Sequence, residues 1–162
     1  MEAVTGAALR AVMGQLVTGV CVVTATHDGH DVAMTASSVT SVSLEPPLVL
    51  VCVAHAARFH DPLLASPAWG VSTLAAGAQE VSRRLAEAAP VAGQLAGVGL
   101  HRGPVTGVAL LQDSCATLEC RTEDVFPGGD HSIVVGRVVG TGVPQPPRDP
   151  LVHHRGGYTG LS

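Results

Sequence analysis

The sequence predicts a mainly β domain, a small barrel with a few flanking α-helices, in place of a doubly wound sheet. Short apolar or β-branched runs recur between turn signals, at residues 20–27, 32–37, 48–54, 69–74, 115–121 and 131–139, and this is the pattern of buried and half-buried strands. Only two or three segments carry helical spacing, too few to alternate with the strands as a parallel sheet requires. There is no Gly-x-Gly-x-x-Gly fingerprint and no Walker-type phosphate loop. At 162 residues without an internal repeat, the chain reads as one domain, 1–162, with enough length for a substantial core.

Residues 2–16 are Ala-rich, and Val4, Ala8, Leu9, Val12, Met13 and Leu16 recur at helical spacing. Gly19 precedes the first strand, which ends at the turn dipeptide Asp28-Gly29; residues 32–37 form its hairpin partner. Residues 48–54 read as a buried strand without polar alternation. Asp61 is placed to cap a short helix and Pro62 to occupy its first position. Residues 69–74 give another strand, and 78–88 an amphipathic helix with Val81, Leu85 and Ala88 on one side. The glycine-rich stretch 93–107 reads as irregular. The last clear pair of strands is joined across Phe126-Pro127-Gly128-Gly129, and the tail 151–161 is a short strand with a Gly156-Gly157 turn.

Hydrophobic residues make up 46% of the chain and charged ones 14%, an apolar surface for a small domain and a hint of burial against another copy. The longest apolar stretches are too short and too interrupted to span a bilayer. A formal charge of −4 with no basic stripe argues against nucleic acid. No charged-then-apolar leader pattern opens the chain. Cys21, Cys52, Cys115 and Cys120 each lie in an apolar run, where a reduced thiol packs as a small hydrophobe, which fits a cytoplasmic location.

The densest chemical signal is the segment 35–43, in which Thr35, Ser37, Ser38, Thr40, Ser41 and Ser43 carry hydroxyls between two apolar strands. So many donors and acceptors make sense against something flat and polar, such as a flavin ring, or a phosphate. Eight histidines raise the question of a metal, but none of their pairings has a helical ligand spacing beside an acid, and no metal site is expected. His131 stands out because Gly128-Gly129-Asp130 precedes it: the glycines allow close backbone approach and Asp130 can orient the imidazole, although the same residues also suit a plain hairpin turn. Arg58, Arg83 and Arg84 suit either a solvated surface or a phosphate. No nucleophile elbow or acidic pair is present, so a bound cofactor, held by the protein, is the expected seat of any reaction.

Taken in order, Thr18-Gly19-Val20-Cys21-Val22-Val23-Thr24, the run from Met34 to Val49, Leu118-Glu119-Cys120, Gly129-Asp130-His131-Ser132-Ile133 and His154-Arg155-Gly156-Gly157-Tyr158 closely resemble the short-chain flavin reductases, the reductase components of two-component flavin-dependent monooxygenases. The resemblance covers nearly the whole chain. It implies an FMN-binding split β-barrel with Greek-key-like connections, a homodimer, and reduction of FMN or FAD by NADH or NADPH for a partner monooxygenase. It implies that Thr35, Ala36, Ser37 and Ser38 lie along the isoalloxazine, and that Ser41, Val53, Ala54, His55 and Arg58 approach the ribityl and phosphate groups. Arg83 also nears that phosphate, Tyr158 belongs to the cofactor site, and Gly129, Asp130 and His131 serve the nicotinamide. His131 is the catalytic residue in this reading, as a polar contact and not an obligatory proton donor. Relatives often carry hydroxyls where this chain has Ala56, Ala57 and Phe59, and asparagine where it has Ser37, which implies a flavin held loosely enough to be shuttled. The alternative is a flavin-binding carrier on the same barrel without reductase activity.

Overall fold

The computed structural model describes residues 3–87 and 93–161. These form three helices, α1 Gly6–Met13, α2 His60–Ala65 and α3 Gln79–Ala86, and twelve strands. The strands are β1 Thr18–Gly19, β2 Cys21–His27, β3 His30–Ala36, β4 Thr40–Leu44, β5 Pro47–Ala54, β6 Ala68–Leu74, β7 Leu100–Arg102, β8 Ala109–Leu111, β9 Ser114–Gly128, β10 His131–Gly142, β11 Val152–His154 and β12 Gly157–Thr159. Every strand pairing is antiparallel, so the mainly β expectation holds.

Seven strands make one sheet in the order β3-β2-β6-β9-β10-β5-β4. Its two outer strands, β3 and β4, are consecutive in the chain and separated only by Ser37, Ser38 and Val39. Laid flat, seven strands at their normal spacing span about 29 Å, whereas the step from Ala36 to Thr40 reaches at most about 14 Å. The sheet is therefore rolled until its ends meet, and the hydroxyl-rich crossing lies on the seam. Two smaller sheets, β1-β11-β12 and β7-β8, flank it.

The alternation of β2 shows why the roll is stable. Cys21, Val23 and Ala25 face one core with Val51, Val53, Trp69, Val71, Cys120 and Val134, while Val20 and Val22 face a second core with Leu74, Leu85, Leu111 and Leu151. Phe59 and Leu63, from the start of α2, belong to the first core, and Leu63 is fully buried, worth about 2 kcal/mol. α3 covers the second through Leu85, beside the buried Ser82. Trp69 is fully buried, with its indole N–H donating to Thr122 Oγ1 at 3.2 Å.

Several local expectations change. Asp61 is not a cap: Phe59 precedes α2, no side chain caps it, and Pro62 is the third helical residue. The Asp61 carboxylate instead meets its neighbour His60, Nδ1 to Oδ1 at 2.7 Å. Phe126 and Pro127 are not in a turn, because β9 continues to Gly128 and the reversal is the two-residue loop Gly129-Asp130, with Gly129 at φ +70° as such a loop requires. The stretch 93–107 contains β7, and the adjoining residues form β8, both too short for a periodic signal. The tail holds two strands, turning at Arg155-Gly156. α1 and α3 are shorter than their apolar spacing suggested; Ala88 lies outside the described residues. Along β5, buried residues alternate with half-buried ones from Leu48 onward.

Candidate functional site

β4 pairs with β5 only as far as Thr40↔Leu50, so beyond that point β5 lacks a strand partner on that side. Ser38 fills the gap. Its hydroxyl donates to the Cys52 carbonyl at 3.0 Å and accepts the Cys52 N–H at 3.2 Å, completing the ladder with a side chain. Thr35 also turns inward, donating to the Ser82 carbonyl of α3 at 2.7 Å. Two of the hydroxyls expected to meet a ligand are thus spent on protein, and Ala36 is buried in the core. Of the three crossing residues, Ser37 is exposed and Ser38 and Val39 are half-buried.

Beside the crossing lies a cavity of about 1110 Å³, walled by Ser37, Ser38, Val39 and Thr40, by Thr18 and Gly19 of β1, and by α1 with Arg155 and Gly156. Thr18 Oγ1 is buried and has no hydrogen-bond partner. α1 is fastened to this wall by its end, since the Arg155 N–H donates to the Gly14 carbonyl at 3.0 Å and Arg155 Nε to Gln15 Oε1 at 2.8 Å. Ser41 stands apart, on the exposed edge strand β4 and outside the cavity wall.

A second group adjoins the first through Thr35. Ser82, one residue before Arg83, exchanges a hydrogen bond with the Tyr158 hydroxyl at 2.8 Å. The Arg83 guanidinium sits 5.1 Å above the Tyr158 ring, a cation–π contact that holds an otherwise exposed cation. Arg58 borders a smaller cavity of about 290 Å³ together with Thr35, Ala56, Ala57 and Leu85. Phe59 also touches it, but as a core residue 4% exposed. Arg84 faces away, donating to the Gly93 carbonyl at 3.0 Å.

The third group is the β9–β10 hairpin and the end of β5. Register pairs His131 with Ala54 and Ser132 with Val53, and the His55 N–H donates to the Asp130 carbonyl at 2.9 Å. Val53 is 1% exposed and turns its side chain into the core. His131 Nδ1 lies 2.7 Å from Asp130 Oδ1, a contact that holds the Asp130 carboxyl below its usual range, first through the hydrogen bond and then through the charge. With Nδ1 engaged, Nε2 is the nitrogen left for a ligand. His60, stacked edge-on to His55 at 5.2 Å, reaches Ser132 Oγ at 2.9 Å.

The structure thus places the expected residues in three groups, with Ser41 outside them and the side chains of Ala36 and Val53 turned into the core. It adds Thr18, Ser82, His60 and Ser132, which sequence reasoning missed. The adjacent pair His60-Asp61 was a visible signal; a serine in a strand or helix gives none.

These residues fit a flavin. The main cavity has room for a cofactor by the measure of small-molecule sites, roughly 300–1,000 Å³. Its wall includes the crossing residues Ser37, Ser38, Val39 and Thr40 and also Thr18, whose hydroxyl is buried without a partner. Arg58 and Arg83 supply cations of the kind that bind phosphate.

Residues 13–162 match the flavin reductase like domain. The chain is 39% identical over 152 residues to the NADH-dependent FAD reductase of Streptomyces globisporus, covering 93% of this chain and 82% of that one. It is 35% identical over 153 residues to the flavin-dependent monooxygenase reductase subunit HsaB of Mycobacterium tuberculosis, covering 94% and 80%. The crystal structure of BorF, the flavin reductase component of a bacterial two-component tryptophan halogenase, superposes with a TM-score of 0.89 at 42% identity, covering 97% and 98%. A site that fits a flavin and a match over nearly the full length agree: the chain belongs to the flavin reductase like domain family.

Proposed function

We propose that this protein is an NAD(P)H:flavin oxidoreductase that reduces FMN or FAD and supplies the reduced flavin to a separate monooxygenase component. The observation that carries this reading is the seam crossing, which walls the main cavity, in a chain that matches the flavin reductase like domain over residues 13–162. A bound flavin supplies the two-electron acceptor, and the nicotinamide the hydride. The chain's own part is to bind and orient. The backbone of Ser37, Ser38 and Val39 offers donors where negative charge develops on reduction. Arg58 and Arg83 hold the phosphate, and His131, steadied by Asp130, offers Nε2 to the nicotinamide. The rolled seven-stranded sheet supports the split-barrel reading.

The same reading includes a homodimer. α1 buries none of its residues, and Leu9, Val12, Met13 and Leu16 are all more than half exposed. An eight-residue helix without a buried face is not stable alone in water, and a second copy over α1 would cover it and close the main cavity. Leu9→Asp with Val12→Asp is expected to give a monomer by light scattering and to weaken flavin binding; a dimer that persists argues against this interface. A cytoplasmic location, suggested by four cysteines read as reduced thiols, is part of the same proposal; separately, among the described residues no helix is long and apolar enough to cross a membrane.

The decisive experiment is anaerobic mixing with NADH or NADPH and excess FMN or FAD, following loss of the flavin's visible absorption. Bleaching with turnover is expected. Flavin binding without bleaching for any of the four combinations refutes the reductase reading and leaves a carrier.

A further inference from the structure

His60 is not among the residues that the reaction above uses, yet it is the most fully engaged histidine in the molecule. Its side chain is 12% exposed. Nδ1 lies 2.7 Å from Asp61 Oδ1 and Nε2 lies 2.9 Å from Ser132 Oγ. Its ring packs edge-on against His55 at 5.2 Å, and the His55 N–H holds the Asp130 carbonyl at 2.9 Å. Two routes therefore run from one imidazole to the hairpin, one through Ser132 and one through His55, and they grip it on either side of His131.

Serine, histidine and aspartate in this order have the composition of a hydrolytic triad, but the setting excludes that chemistry. Ser132 is 7% exposed and paired on both sides in β10, with Val53 and Pro127. No substrate carbonyl reaches its hydroxyl, and the flanking sheet offers no free N–H groups to hold an oxyanion. The chain of contacts suits alignment instead. Successive residues of a strand point to opposite faces, so anchoring Ser132 inward fixes the direction in which His131 projects.

We propose that His60 is a positioning residue for hydride transfer from the nicotinamide, acting through Ser132 to hold the strand end that presents His131. The inference rests on the assignment of the Gly129–His131 hairpin to the nicotinamide. A Ser132 hydroxyl tied to an imidazole, itself tied to Asp61, leaves the hairpin one orientation; without the tie it is held only by backbone pairing near its tip.

The test compares His60→Ala, His60→Gln, Ser132→Ala, the double variant His60→Ala/Ser132→Ala, and His131→Ala. Steady-state kinetics with NADH, flavin titration and thermal midpoint are measured for each. His60→Ala is expected to raise the NADH KM about fivefold, the effect of losing one aligned hydrogen bond, with kcat and flavin affinity changed less. His60→Gln, whose amide still reaches Ser132, recovers most of that loss. Ser132→Ala reproduces most of the His60→Ala effect, and the double variant is no worse than His60→Ala, because the contact between the two side chains is broken in each. An unchanged KM in a folded His60→Ala, an additive double variant, or no recovery in His60→Gln overturns the proposal. Should His60→Ala not fold, Ser132→Ala against wild type decides it. His131→Ala separates the two readings: if it leaves the NADH KM unchanged, the nicotinamide assignment fails and the positioning role with it. If it raises KM while His60→Ala does not, only the positioning role fails.

Discussion

Ser38→Ala asks whether the crossing binds its ligand with hydroxyls or with a backbone that hydroxyls hold in place. In the structure the Ser38 side chain makes two hydrogen bonds to Cys52, one as donor and one as acceptor. Removing it leaves the Cys52 N–H and carbonyl unpaired where β4 has already left β5. Each bond is worth about 1 kcal/mol net, and both residues are half-buried, so water offsets part of the loss. The expected destabilisation is about 1–2 kcal/mol, which for a domain of this size lowers Tm by about 2–8 °C. Flavin affinity falls as well, because a crossing freed from β5 must be reordered on binding. Thermal denaturation followed by circular dichroism, and flavin titration by fluorescence quenching, read the two effects separately. Lost affinity with an unchanged Tm refutes the argument, since it means that the hydroxyl touches the ligand and does not brace the seam.

Other expectations follow from neighbouring contacts. Arg83→Ala is expected to weaken FMN binding about tenfold, as for a lost charge-assisted contact, and to leave lumiflavin, which has no phosphate, unaffected; equal losses for both ligands remove Arg83 from the phosphate. Tyr158→Phe loses the hydroxyl contact to Ser82 but keeps the ring under Arg83, so its FMN affinity stays closer to wild type than that of Tyr158→Leu. Glu119 is 2% exposed; burial alone raises its pKa, but hydrogen bonds from the Thr106 hydroxyl and from the Thr106 and Val105 N–H groups outweigh this and hold it below the usual carboxylate value of 4.5. Its folded pKa being the lower one, its stabilisation is complete above about pH 4.5 and is lost as pH falls through the folded value. Glu119→Gln therefore lowers Tm at neutral pH and flattens its decline in acid; a parallel acid limb in the variant counts against it. A Cβ on Gly136 meets the Trp69 ring, and Gly136→Ala is expected to cost about 1–3 kcal/mol of overpacking in urea denaturation.

The segments legible in the sequence were those whose signal is local. β2, β6 and most of β10 announced themselves by apolar or β-branched runs, and the Asp28-Gly29 reversal by its turn chemistry; the hydroxyl density at 35–43 marked the crossing. The Gly129-Asp130-His131 element was also visible, because two glycines before an acid and a histidine are uncommon in a strand. β7 and β8 were missed because three residues carry no period. The Asp61 cap failed because a helix start is decided by where the chain leaves the preceding strand, and Phe59 packing into the core set that point two residues earlier.

By itself, the sequence determined that this is a mainly β domain of the flavin reductase type, since alternation, turn residues and ordered motifs are written along the chain. Only the tertiary structure decided which way the hydroxyls face. Thr35 and Ser38 spend theirs on α3 and β5 because the rolled sheet brings those elements against the crossing. It also decided that His60, Ser132 and His55, up to 77 positions apart in the numbering, grip one hairpin. Such contacts join residues remote in the chain, and a local pattern cannot encode a partner that only the roll of the sheet brings within reach.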